Sequence, residues 1–183
     1  SKAGDNTFIF YLVRQGDGYH NKAKISGSKE KIIDPSLTKI GEEQCIQVGR
    51  KLKELEINFN FLFVSELVRT RQSLRKILEG GIMFKPLNEE FNKVIVLPCS
   101  RELVYDSDSC DVNQATTQEN EMLCNPLKKS DNPDYCTKLN DLNIDWSYYL
   151  KFHGDQIIRR SANCKDTEMI SEAIKIILSK KLI

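Results

Sequence analysis

Three short segments carry residues able to do chemistry, and each follows directly on an apolar run. The first is Arg14-Gln15-Gly16, with His20-Asn21 close behind; the second is Ser65-Glu66-Leu67-Val68-Arg69-Thr70; the third is Arg101-Glu102. Taken singly, an arginine or glutamate after a strand is most often a solvated surface charge. Together they say more, because parallel strands bring their carboxyl ends into one crevice, where open α/β sheets bind ligands. Two arginines and a helix N-terminus converging there form an anion site suited to phosphate, since guanidinium groups and unpaired backbone N–H groups both favour negative oxygens.

These segments need strands and helices to position them. Residues 8–13, FIFYLV, form a short run of aromatic and branched residues, the pattern of a strand buried on both faces. Residues 22–31 are a lysine- and serine-rich connection, after which Asp34-Pro35-Ser36 opens a helix with Ile40, Cys45, Val48, Leu52 and Leu55 near helical spacing. Residues 59–64 read as a second strand. Ser65 is the expected N-cap of a helix over residues 66–78 that ends at Gly80-Gly81. Residues 94–97 read as a third strand. This alternation predicts an α/β fold of three layers, a mostly parallel central sheet flanked by helices.

From residue 105 to about 143 Asp, Asn, Ser, Thr and Gln dominate and periodicity is lost, which predicts a polar lid-like insertion over residues 106–143. Residues 144–152 and 168–182 read as helices, the second with Met169, Ile170, Ala173, Ile174, Ile177 and Leu178 as its apolar positions. The chain of 183 residues fits one domain spanning residues 1–183.

Composition narrows the partners. A net charge of +1 gives no basic bulk for nucleic acid, and no apolar run approaches the roughly 20 residues needed to cross a bilayer. The six cysteines, at 45, 99, 110, 124, 136 and 164, form no Cys-x-x-Cys pair, and His20 and His153 are the only histidines, so no metal site is expected. Cys45 falls on a buried helix face as a small hydrophobe. Cys110, Cys124 and Cys136 lie in the polar stretch and leave one disulfide open, although an intracellular chain keeps such thiols reduced. The expectation is a cytoplasmic protein.

Several segments resemble the histidine phosphatase (phosphoglycerate mutase-like) superfamily. LVRQGDGYHN resembles the opening motif, in which the first strand ends in Arg-His-Gly. DPSLTKIGEEQ is similar to the Leu-Thr-x-x-Gly-x-x-Gln segment, and VSELVRTRQS to Ser-x-Leu-x-Arg-Thr-x-Gln. RELVYDSDSCDVN and the region around Trp146 look most like small phosphoglycerate mutase-like phosphatases of plants and fungi, whose opening reads Arg-His-x-x-Gly-x-His-Asn. The resemblance covers about residues 8 to 150.

The resemblance implies a phosphohistidine mechanism, in which a histidine attacks the phosphoryl group, two arginines and a second histidine neutralise its oxygens, and a glutamate protonates the leaving group. On this chain Arg14 and Arg69 match the arginines and Glu102 the acid. Asn21 and Ser65 match phosphate-pocket positions, and His20 matches a pocket residue of the plant and fungal branch, with Arg101 beside it. The implied partner is phosphate or a small phosphorylated metabolite; no cofactor, nucleic acid or membrane is called for.

Two departures stand out. The nucleophile position is Gln15, whose amide lone pair is delocalised into the carbonyl, so it hydrogen-bonds but does not attack phosphorus. The second histidine belongs to a strand after the last helix, and Lys180-Lys181-Leu182-Ile183 lie where that strand would begin. Three readings follow: an impaired or inactive family member that still binds phosphomonoesters, an active phosphatase or mutase for which Gln15 is not the native residue or another nucleophile serves, or an α/β interaction module. The insertion carries more acidic than basic residues, which favours hydrolase over mutase ancestry because it offers little grip on a second phosphate.

Overall fold

The structure, a computed structural model, describes residues 7–27, 34–97, 100, 138–153 and 166–180. Its elements in chain order are α1 (Tyr19–Ser26), α2 (Lys39–Glu54), β1 (Asn58–Phe59), β2 (Leu62–Val64), α3 (Val68–Glu79), β3 (Met83–Phe84), a 3-10 turn (Glu89–Phe91), β4 (Val94–Val96), β5 (Lys138–Leu139), β6 (Leu142–Asp145), α4 (Ser147–His153) and α5 (Asp166–Ser179). The main sheet runs β2-β4-β6-β5, and β1 and β3 form a small parallel pair. β2, β4 and β6 are parallel, in the register Leu62↔Val94 and Val94↔Ile144, while β5 is antiparallel to β6.

β4 is central because every residue of it is apolar and both its faces are covered. Val94 and Val96 pack on one side with Leu62, Val64, Leu139, Ile144 and Tyr149, with Leu74 and Leu78 of α3 against them. Ile95 and Leu97 point the other way, onto Phe91 and Ala173, Ile176 and Ile177 of α5. Full burial of each such side chain contributes roughly 1.5–3 kcal/mol. Helices therefore lie on both faces of a mostly parallel sheet, the α/β layering expected from the alternation of elements.

α2 and α3 pack against each other without bulk at their crossing. A Cβ on Gly49 would sit 2.2 Å from the Ile77 carbonyl oxygen, and one on Gly80 would sit 2.4 Å from that of Ile46. α2 starts at Lys39, not at residues 34–36, because Thr38 caps it: the Thr38 hydroxyl oxygen accepts from Gly41 N–H at 3.0 Å. Its buried face is Gly41, Cys45 and Gly49, whereas Ile40 and Leu55 point into solvent. Cys45 is buried and free.

Other expectations need correction. Residues 8–13 form no strand. Ile9 is 73% and Leu12 67% exposed, and only Phe8 and Phe10 lean on the α5 side of the core. A ladder needs neighbouring backbones about 4.8 Å apart, and here a cavity of about 760 Å³, lined by residues 7–15 and 57–65, lies between this segment and β2. The expected strand over residues 59–64 is two pieces, β1 in the small pair and β2 in the main sheet. Residues 19–26, partly assigned to a connection, form α1. Residues 138–143, expected in the insertion, instead build the β5–β6 hairpin, whose turn residue Asn140 takes the left-handed φ of 51° that asparagine tolerates. Ile144 is therefore in a strand, and α4 begins at Ser147. Residues 106–137 of the insertion, with Cys110, Cys124 and Cys136, lie outside the described residues. In α5 the buried positions are Ala173, Ile176 and Ile177, and Leu178 faces outward.

Candidate functional site

The loop over residues 14–18 is held from both sides. Gly16 N–H donates to Ser73 Oγ of α3 at 3.1 Å, and that hydroxyl donates to the Arg69 carbonyl at 2.7 Å. Asp17 N–H donates to Gln44 Oε1 of α2 at 3.0 Å, and the Asp17 carbonyl accepts from Thr38 N–H at 2.9 Å. The Asp17 carboxylate accepts from Asn21 Nδ2 at 3.0 Å and from Thr38 Oγ1 at 2.8 Å. Those two hydrogen bonds, that of Asn21 first and that of Thr38 second, hold its carboxyl below the usual aspartate value. α2 approaches this loop closely, since a Cβ on Gly41 would fall 2.1 Å from the Asp17 carbonyl oxygen.

The start of α3 is arranged differently from expectation. Ser65 is not its N-cap; Leu67 holds that position and offers no side-chain cap. The cap comes from far away in sequence, because Asp34 Oδ1 accepts from Val68 N–H at 2.8 Å. Ser65 Oγ accepts from Leu67 N–H at 3.2 Å and lies 3.0 Å from Thr70 Oγ1. Thr70 Oγ1 has its nearest backbone acceptor, the Leu67 carbonyl, at 2.7 Å. A single threonine proton spent on that carbonyl leaves the Ser65 hydroxyl as donor to Thr70. Gln72 Oε1 accepts from Leu37 N–H at 2.8 Å and ties α3 to the entrance of α2.

Arg14, Gln15, Ser65, Thr70 and Ser73 line the 760 Å³ cavity together. Arg14 is exposed and Gln15 half-buried. Arg69 is 1% exposed within the first turn of α3 and is not on the cavity wall, nor are His20 and Asn21, which ride on α1. Arg101 and Glu102 lie outside the described residues. Among the described residues no group of three or more His, Cys, Asp or Glu side chains gathers as a metal site, and no helix is long and apolar enough to cross a membrane.

Asp17, Thr38, Gln44 and Ser73 hold this loop and Gln72 ties α3 to the entrance of α2, and reasoning from sequence gave them no role. Their signal was present in part: Thr38, Gly41 and Gln44 are the named positions of LTKIGEEQ, and Thr70 and Gln72 those of SELVRTRQ.

The layout defines a class first: an α/β protein whose arginine-bearing loop is fixed onto the first turns of the helix that follows a parallel strand. Residues 10–89 match the sequence model of the histidine phosphatase superfamily (branch 1). Over that stretch the chain is similar to members of that superfamily. A broad-specificity phosphatase of Saccharomyces cerevisiae is 35% identical over 77 residues, which are 41% of this chain and 32% of that protein. A 2,3-bisphosphoglycerate-dependent phosphoglycerate mutase of Bradyrhizobium sp. (strain BTAi1) is 38% identical over 72 residues, 39% of this chain and 33% of the mutase. The chain thus spans about a third of the length of the curated relatives it matches. Among solved structures, the ecdysone phosphate phosphatase of Bombix mori, in complex with tungstate, aligns with a TM-score of 0.43 at 16% identity, over 80% of this chain and 49% of that one.

Proposed function

We propose that this chain binds phosphate or a small phosphomonoester at the 14–16 loop and the start of α3, and that it is catalytically impaired or inactive because Gln15 stands at the nucleophile position. The observation that carries the reading is the shared wall: Arg14 and Gln15 line one cavity with Ser65 and Thr70, and the loop bearing them is tied to α3 through Gly16 and Ser73. Arg14 and Arg69 are the proposed phosphate-binding cations, with Ser65 in the pocket and Asn21, His20 and Arg101 at its border. Glu102 is the proposed general acid. Relatives named as a phosphatase and a phosphoglycerate mutase support a phosphorylated small molecule as the ligand class. The acidic balance of the insertion favours hydrolase over mutase ancestry.

The mechanism of impairment is electronic. The Gln15 amide donates and accepts hydrogen bonds beside a phosphoryl group, but its nitrogen lone pair is delocalised, so no phosphoenzyme forms and the two-step covalent route is lost. Electrostatic stabilisation by the arginines leaves at most a residual rate.

The test compares Gln15→His with the parent, in a chain extended to include any histidine beyond Ile183, using a generic phosphomonoester. The expected outcome is parental turnover near background and a gain of at least about a hundredfold in the variant, with an acid-labile phosphoenzyme. Robust turnover by the parent would instead favour an active enzyme with a different nucleophile. No gain from Gln15→His would favour a phospho-ligand-binding module.

A further inference from the structure

We infer that Asp17 is a positioning residue for the phosphate loop, and that Asn21 acts through Asp17 rather than on phosphate directly. The inference rests on the phosphate-site reading above and deepens it. Asp17 is fixed by every polar group it has. Its N–H is held by Gln44, its carbonyl by Thr38 N–H, and its two carboxylate oxygens by Asn21 Nδ2 and Thr38 Oγ1, all within 2.8–3.0 Å. Hydrogen bonds to a carboxylate are about twice as strong as neutral ones, so this residue is the firmest point of the loop.

Upstream of that point, Gln15 and Arg14 line the cavity and are joined directly to Gly16 and Asp17, whose hydrogen bonds to α3 and α2 fix that end of the loop. Asn21 sits on α1, away from the cavity wall, and its amide nitrogen is turned back onto Asp17. Its geometry is that of a brace. Thr38 joins the brace to α2, because the same hydroxyl that donates to Asp17 accepts from Gly41 N–H to cap that helix. Loop, α1 and α2 therefore meet at one carboxylate.

A double-mutant cycle read by inorganic phosphate affinity tests this, because two residues acting through one contact give non-additive losses. The parent, Asp17→Ala, Asn21→Ala and the double variant are titrated with inorganic phosphate well below their melting temperatures. A displaced loop costs affinity steeply, so Asp17→Ala is expected to weaken binding about tenfold and Asn21→Ala a few-fold. The double variant is expected to bind no more weakly than Asp17→Ala alone. Thr38→Ser, which keeps the hydroxyl, is expected to bind like the parent, and Thr38→Val to bind more weakly at comparable thermal stability. Where Asp17→Ala does not fold, Asp17→Asn replaces it, since it keeps the shape and sets an amide donor against Asn21.

Additive losses overturn the inference by making Asn21 a phosphate contact in its own right. Parental affinity in the Asp17 variant overturns it as well. A parent that binds no phosphate, or an Arg14→Ala variant that binds as the parent does, shows instead that the phosphate-site reading has failed and takes the inference with it.

Discussion

The Asp17 carboxylate is held ionised by Asn21 and then Thr38, so it links the candidate loop to pH. A carboxyl whose folded value lies below its unfolded one adds stability that is complete above the unfolded value, near 3.9, and lost as pH falls through the folded value. Asp145 behaves likewise for the sheet: its partial burial pushes the other way, but Lys93, with Nζ 2.8 Å away, and Ser147, whose N–H donates at 2.9 Å, outweigh it. Denaturant unfolding of the parent, Asp17→Asn and Asp145→Asn from pH 7 to pH 3 checks both. Each variant is expected to be less stable than the parent at pH 7, and the gap is expected to close as pH falls below about 4. A gap that stays constant to pH 3 would mean that neither carboxylate's ionisation contributes. At this scale the sequence singles out residues by type but not by the partners that hold them. Arg14, Gln15 and Ser65 stand out by residue type and do share a cavity wall. Asp17 and Ser73 do not stand out, because their roles depend on partners far along the chain, as in the bond from Gly16 to Ser73 across 57 positions.

Helix starts and helix crossings carry the next level of order, and both depend on contacts that local patterns do not encode. Periodicity located α2 and α3 within a few residues, since amphipathic spacing is a property of the segment itself. It misplaced the cap of α3, because Ser65 is the nearest hydroxyl in sequence whereas Asp34 supplies the acceptor across the fold. Asp34 is buried and takes a left-handed φ of 46°, a conformation that asparagine also accepts and alanine resists. Asp34→Ala is therefore expected to lose the cap and add backbone strain, a cost of about 2–3 kcal/mol, while Asp34→Asn keeps an acceptor oxygen and costs less. Thermal unfolding of the two variants ranks them, and an Asn variant as damaged as the Ala variant would argue that the charge, not the acceptor, matters. The crossing of α2 over α3 makes a sharper case. Gly49→Ala drives a methyl to 2.2 Å from the Ile77 carbonyl, which backbone cannot yield without parting the helices. A loss of about 1–3 kcal/mol is expected, against a change within about 0.5 kcal/mol for Gln47→Ala on the exposed face of the same helix.

Across the described residues, packing is concentrated around β4 and thins toward residues 8–13. β4 has hydrogen-bonded neighbours on both sides and apolar layers on both faces, supplied by α3 and α5. The apolar run 8–13 reads in the sequence as a strand buried on both faces, yet such a strand needs a ladder as well as a hydrophobic pattern, and its side of β2 is taken by the cavity. Its ties are aromatic: Phe8 and Phe10 lean on the α5 layer, and Tyr11 meets Phe59 edge-on at 5.4 Å between ring centroids. Local opening free energy follows buried contacts and protected backbone hydrogen bonds. Amide hydrogen exchange at neutral pH is accordingly expected to be slowest at Val94, Ile95 and Val96 and faster by orders of magnitude at Ile9 and Leu12. Side-chain replacement should follow the same gradient. Ile95→Ala empties a buried site packed against Phe91 and α5 and is expected to cost about 2–5 kcal/mol. Ile9→Ser changes a residue that is 73% exposed and is expected to stay within about 0.5 kcal/mol. Slow exchange across residues 8–13, with a large penalty for Ile9→Ser, would mean that this segment pairs with β2 in solution. The arginine loop would then be carried by a rigid strand rather than held chiefly from α2 and α3.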